Sequence, residues 1–149
     1  MAFKSIRDDD AYLAIVERLG QLTPESDRGW GVMGHDELLP HFIDGMRLAL
    51  NGTDRSPKGL MATPLMRHLL IHRLSWPEGK VKAPKGAFRR VAEDWEAERN
   101  ELIALIDRYR STPPEQVGGA HPTFGPMKAR DWDVMVWRHL DHHLRQFDC

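Results

Sequence analysis

The chain has 149 residues, the size of one ordinary domain rather than two. Hydrophobic residues make up 41% and charged residues 29%, enough for a packed core and too apolar for a disordered chain. Lys and Arg total 21 against 22 Asp and Glu, a net charge of -1, which removes the main sequence argument for nucleic acid or an anionic membrane as partner.

Residues 1–10 carry Lys4, Arg7 and three aspartates and no apolar run, unlike a secretory signal. No stretch approaches the ~20 apolar residues that span a bilayer. The one cysteine, Cys149, leaves no partner for an intrachain disulfide, and the reducing cytosol is the expected compartment.

The apolar residues recur with a helical period, and no alternating strand stands out. Tyr12, Ile15, Val16 and Leu19 form a short first stripe that Gly20 closes. Leu38, Phe42, Met46 and Ala49 form a second, ended by Asn51-Gly52 as a C-cap. Thr63-Pro64 predicts the N-cap and first turn of a third helix running through Leu74, which Trp76-Pro77 terminates. The fourth stripe runs Phe88, Val91, Ala92, Trp95, Leu102, Leu105, Ile106 and Tyr109 until Pro113-Pro114 stops it. The last helix starts near Ala129 and carries Trp132, Met135, Val136, Leu140, Leu144 and Phe147. Polar, Gly- and Pro-rich connections occupy 52–59, 77–86 and 111–127. The last is long enough to suggest a functional loop, expected to cross one end of the fold. One short N-terminal and four substantial amphipathic helices predict an all-α helical bundle forming one domain over residues 1–149, with Trp95 and Trp132 in or near its core.

The chain has eight histidines, and two pairs have the i, i+4 spacing that stacks imidazoles on one helix face. At roughly 100° per residue, His143 lies near the centre of the last helix's apolar stripe and His139 within about 50° of it. Two imidazoles in register on an apolar face are hard to satisfy as neutral core residues, because each ring needs one donor and one acceptor. A shared cation uses one nitrogen of each. His68 lies nearly opposite the stripe of Leu65, Met66, Leu69, Leu70 and Leu74, and His72 well off it, so both read as solvated. His142 falls at the rim of its stripe. A third ligand must come from another helix, and periodicity does not choose between His35 and His41. Gly45, one turn beyond His41, leaves space beside it.

Trp30-Gly31-x-Met33, His41-x-x-Asp44 and Arg47-x-Ala49-Leu50 resemble the second-helix signature of the DinB/YfiT-like superfamily. His121-Pro122-x-Phe124-Gly125-Pro126, Asp131-Trp132 and the run His139 to Phe147 are similar to an uncharacterised branch of it, DUF1569. The resemblance covers residues from about 20 to 148. It implies a four-helix bundle, here with a short extra N-terminal helix, holding a divalent metal ion (Zn, Ni, Fe or Mn) through His41, His139 and His143; His35 matches no ligand position. Lys128 stands where such proteins place a capping Ser or Thr, and Pro40 either begins the second helix or kinks it.

Three neutral imidazoles would leave an ion its charge and an open coordination position, the pattern of catalytic metal sites. The resemblance implies a metal-dependent enzyme activating a thiol or water, of S-transferase, isomerase or hydrolase type, with a low-molecular-weight thiol as partner. Asp44, Asp141, Arg145 and Gln146 are candidate contacts around the ion or substrate, or else a solvated face. The competing expectation is a non-catalytic stress-response bundle that binds metal, a small ligand or a second copy of itself as a homodimer. No acidic base stands in an HExxH-type frame, and a closed, dry site would favour that alternative. Ligand histidines must be neutral, so metal affinity is expected to fall as pH drops through about 6.

Overall fold

The computed structural model describes residues 3–55, 57–80 and 90–149. Five α-helices dominate it: α1 (Asp9–Gln21), α2 (His35–Asn51), α3 (Pro64–His72), α4 (Trp95–Ser111) and α5 (Ala129–Gln146). None of them is long and apolar enough to cross a membrane. The principal core is shared by four: Ile15 and Leu19 of α1, Phe42, Ile43 and Met46 of α2, Leu102 and Ile106 of α4, and Trp132, Leu140 and Leu144 of α5. The short N-terminal helix is thus a full core member, one residue longer than its Gly20 stop predicts. The third helix is the peripheral one.

That reversal follows from α3 itself. It has nine residues, too few to define an apolar stripe, and it docks on the far side of α5 through Ile71, which joins Phe124 and Val134 in a second, small cluster. Leu65 and Leu74, expected to be buried, are 68% and 47% exposed. The helix ends at His72, where the Arg138 guanidinium from α5 donates to the Leu70, Ile71 and Leu74 carbonyls. Its first turn is as predicted, with Thr63 Oγ1 accepting from the Met66 N–H at 3.4 Å.

α2 contains Pro40 in its interior rather than starting there. A proline cannot donate to the carbonyl four residues back, which leaves the Asp36 oxygen free. The Ala92 N–H takes that oxygen at 2.7 Å, so the segment before α4 repairs the break. Val91 and Ala92 precede the Asp94 cap and do not extend α4. Helix α4 starts at Trp95, with Asp94 accepting from the Ala97 N–H at 3.0 Å. Phe88 lies outside the described residues. Trp95 is partly buried against the core and Trp132 is buried within it, as expected.

α5 begins at Ala129 although Lys128 cannot accept a capping bond. Asp131 compensates, its Oδ2 accepting the Lys128 N–H at 3.1 Å. The 111–127 connection is not wholly irregular: it holds a 3-10 turn (Pro114–Gln116) and a two-residue hairpin, β1 (Ala120–His121) with β2 (Gly125–Pro126). It passes so close to Gly52, the α2 C-cap at φ +66°, that a side chain there would sit 2.5 Å from the Gly118 carbonyl oxygen.

Because α1 and α2 pack on α5 and α3 packs on it through a separate cluster, α5 buries polar residues too. Asp133 accepts from Arg7 Nε and from the Tyr109 hydroxyl, both at 2.8 Å, and Arg7 also donates to the Arg110 and Thr112 carbonyls at the end of α4.

Candidate metal centre

α2 and α5 pack against each other and bring together one histidine from the first and two from the second. His139 Nε2 lies 2.8 Å from His41 Nε2, and His143 Nε2 lies 3.2 Å from it. The three ring centroids form a near-equilateral triangle with sides of 4.7, 4.8 and 4.9 Å. Phe42, one residue after His41, sets its ring edge to face with both α5 imidazoles at 5.9 Å. Gly45 has no side chain where His139 lies; a Cβ there would be 2.9 Å from His139 Cε1. The space that Gly45 leaves is therefore filled from α5 rather than by its own neighbour His41.

The arrangement suits a divalent ion. Tetrahedral coordination at a metal–nitrogen distance of about 2.0–2.1 Å puts ligand nitrogens about 3.3 Å apart, close to the two separations from His41, and all three ligand atoms lie within 4.8 Å of one another. Burial holds His139 well below the usual imidazole range, with His41 and His143 adding to the effect. Burial likewise brings His143 down to about 4. Both offer a lone pair at neutral pH, and proton competition at His143 sets in lower than at an unperturbed imidazole. All three residues keep some solvent-accessible surface.

His143 Nδ1 lies 2.8 Å from Gln146 Oε1, and Gln146 Nε2 donates to the Trp30 carbonyl at 2.7 Å. Of the four candidate contacts, Gln146 bonds one of the three histidines. Asp44 is exposed and pairs with Arg90 and Arg47. Asp141 pairs with Arg18 and Arg145, and Arg145 also with Glu78. Asp44 thus lies on a solvated face, whereas Asp141 and Arg145 line a surface groove along α5.

The other histidines go elsewhere. His35 opens α2 and lines a separate groove with Pro24, Arg28 and Phe147, so it stands apart from the triad. His68 is exposed as expected, but His72 is not simply solvated: its Nε2 lies 2.7 Å from Asp131 Oδ1, joining α3 to the first turn of α5. Asp131 is within reach because α3 docks there, which periodicity cannot show. His142 sits between the edges of Trp30 and Trp76, with ring centroids at 4.7 and 5.7 Å, and burial lowers it to about 4. His121 Nδ1 accepts the Thr123 and Phe124 N–H groups at 3.0 and 3.3 Å, a side-chain turn inside the hairpin loop. A second groove, lined by Phe3, Trp76, Trp137, Arg138 and His142, runs along the α3 side of α5. Neither groove is lined by His41, His139 or His143.

A family model described as "Protein of unknown function (DUF1569)" matches residues 5–148, nearly the whole chain. No curated protein and no solved structure matches it.

Proposed function

The chain belongs to the DUF1569 family, and we propose that it is a metal-dependent enzyme whose His41, His139 and His143 hold one divalent ion, Zn, Ni, Fe or Mn. The observation that carries this reading is the convergence of three imidazole Nε2 atoms from two helices. We read the core shared by α1, α2, α4 and α5 as the four-helix bundle of DinB/YfiT-like proteins; one ligand from α2 and two from α5 support that reading. An ion held by three neutral ligands keeps its full charge and can lower the pKa of a bound thiol or water. The chain's own part is to present lone pairs: burial keeps His139 and His143 uncharged, Phe42 packs edge to face on both, and Gly45 admits His139. The substrate we infer is a small molecule, a low-molecular-weight thiol in the S-transferase or isomerase case, handled in the cytosol by a monomer or homodimer without nucleic acid or membrane.

A second reading, a non-catalytic metal- or ligand-binding stress-response bundle, is favoured by one observation: neither of the two grooves described above is lined by a triad histidine. Untagged protein loaded with each metal and assayed against a panel of thiols with electrophiles, and of hydrolysable esters and amides, separates the two. Turnover that disappears in His139→Ala supports the enzyme. Stoichiometric metal without turnover on any pair supports the binding bundle.

A further inference from the structure

We propose that Gln146 is a positioning residue for the metal centre, fixing His143 in the tautomer that carries its proton on Nδ1 and turns its Nε2 lone pair toward His41 and His139. The inference rests on the three-histidine reading above and adds the element that prepares one ligand. A backbone carbonyl can only accept, so the Gln146 group 2.7 Å from the Trp30 oxygen is the amide nitrogen. That assignment leaves Oε1, which only accepts, 2.8 Å from His143 Nδ1. The proton must therefore sit on Nδ1, and Nε2 is bare.

The surroundings are built for this amide. Gln146 is 3% exposed, so water does not compete for its groups. Its backbone oxygen accepts the Gly29 N–H at 2.7 Å, which ties the Trp30 loop to the same residue. Gly31 has φ +80°, and a Cβ on it would sit 2.5 Å from Gln146 Nε2. The Trp30-Gly31 pair thus supplies the acceptor that orients the amide and the space that the amide occupies. A hydrogen bond of this kind at the outer nitrogen raises ligand basicity and holds the ring in its coordinating orientation; losing one typically costs 10–100-fold in metal affinity.

The test uses zinc alone as the probe and the full chain. In metal-free wild-type protein, nitrogen-15 NMR of the imidazoles should find His143 protonated at Nδ1. Gln146→Met keeps the length and removes the acceptor. It should shift His143 toward a mixture of tautomers and weaken zinc binding about 10–100-fold in a chelator competition. Gln146→Glu restores the acceptor for Nδ1 but loses the donor to the Trp30 carbonyl, so its zinc affinity should fall between those of Gln146→Met and wild type. A wild-type His143 protonated at Nε2 overturns the proposal without any variant. So does a Gln146→Met protein that binds zinc within about twofold of wild type. Wild-type protein that takes up no zinc overturns the three-histidine reading itself, and this proposal with it.

Discussion

Asp133→Ala is expected to lower stability by about 3–5 kcal/mol, the cost of stripping one partner from a buried charge pair. Asp133 and Arg7 have side chains only 12% and 19% exposed, so water screens them little. Removing the carboxylate leaves the Arg7 guanidinium with only the carbonyls at the end of α4, and the Tyr109 hydroxyl without its acceptor. Burial and the adjacent carboxylate push the Tyr109 hydroxyl far up, so it stays a neutral donor and cannot adapt by ionising. Asp133→Asn keeps an acceptor for Tyr109 and should cost roughly half as much. Asp44→Ala is the control: its pairs to Arg90 and Arg47 are about half exposed, and such pairs are worth about 0.5 kcal/mol or less. Urea unfolding at pH 7.5 measures all three. An Asp133→Ala loss no larger than that of Asp44→Ala would show that the network joining the N-terminal segment, α4 and α5 carries no stability.

The second large effect is in acid. His121 is held at about 4 by burial, and as a neutral ring its Nδ1 accepts two backbone N–H groups. The unfolded chain carries an ordinary imidazole near 6.5. Between the two values the unfolded state binds the proton and the folded state does not, so stability falls as pH drops from about 6.5 toward 4 and levels off below. The full shift corresponds to about 3 kcal/mol, and His121 keeps partial exposure, so about 2 kcal/mol is expected at the acid end. His121→Asn supplies an oxygen that can accept the same two N–H groups. It loses ring contacts with Phe124 and Trp132 and starts less stable, but its stability should be flatter across this range. The comparison is made in excess chelator, which keeps metal release out of the slope. Identical pH slopes for the two proteins would contradict the role given to His121.

What could be read from the sequence was what depends on local spacing. The i, i+4 pair His139/His143 on the face of Trp132, Val136 and Leu140 was legible because one helix sets both the spacing and the face. The choice between His35 and His41 was not, since periodicity admits both. What separates them is a helix that continues through Pro40, and that depends on a hydrogen bond from Ala92, distant in sequence. The role of α3 was missed for a related reason: nine residues with apolar side chains on several sides do not choose a face, and Arg138, from another helix, sets its end. Gln146 stood among the candidates as one polar residue in a polar run. Its burial follows from the Trp30 loop folding over the end of α5. The resemblance, not the spacing, singled out His41, and the structure brings that residue to the α5 pair.

Metal content per chain, measured on untagged protein after loading and gel filtration at pH 7.5, tests the three-histidine centre most directly. Wild-type protein should hold one equivalent of a divalent ion. His41→Ala, His139→Ala and His143→Ala should each lose it, because two imidazoles hold such an ion far more weakly than three. His35→Ala, His68→Ala and His72→Ala should keep it, since none of those rings joins the triad. Stoichiometry is the deciding quantity, because removing a buried imidazole changes stability with or without an ion. One equivalent of metal retained in all three triad variants would contradict the centre outright.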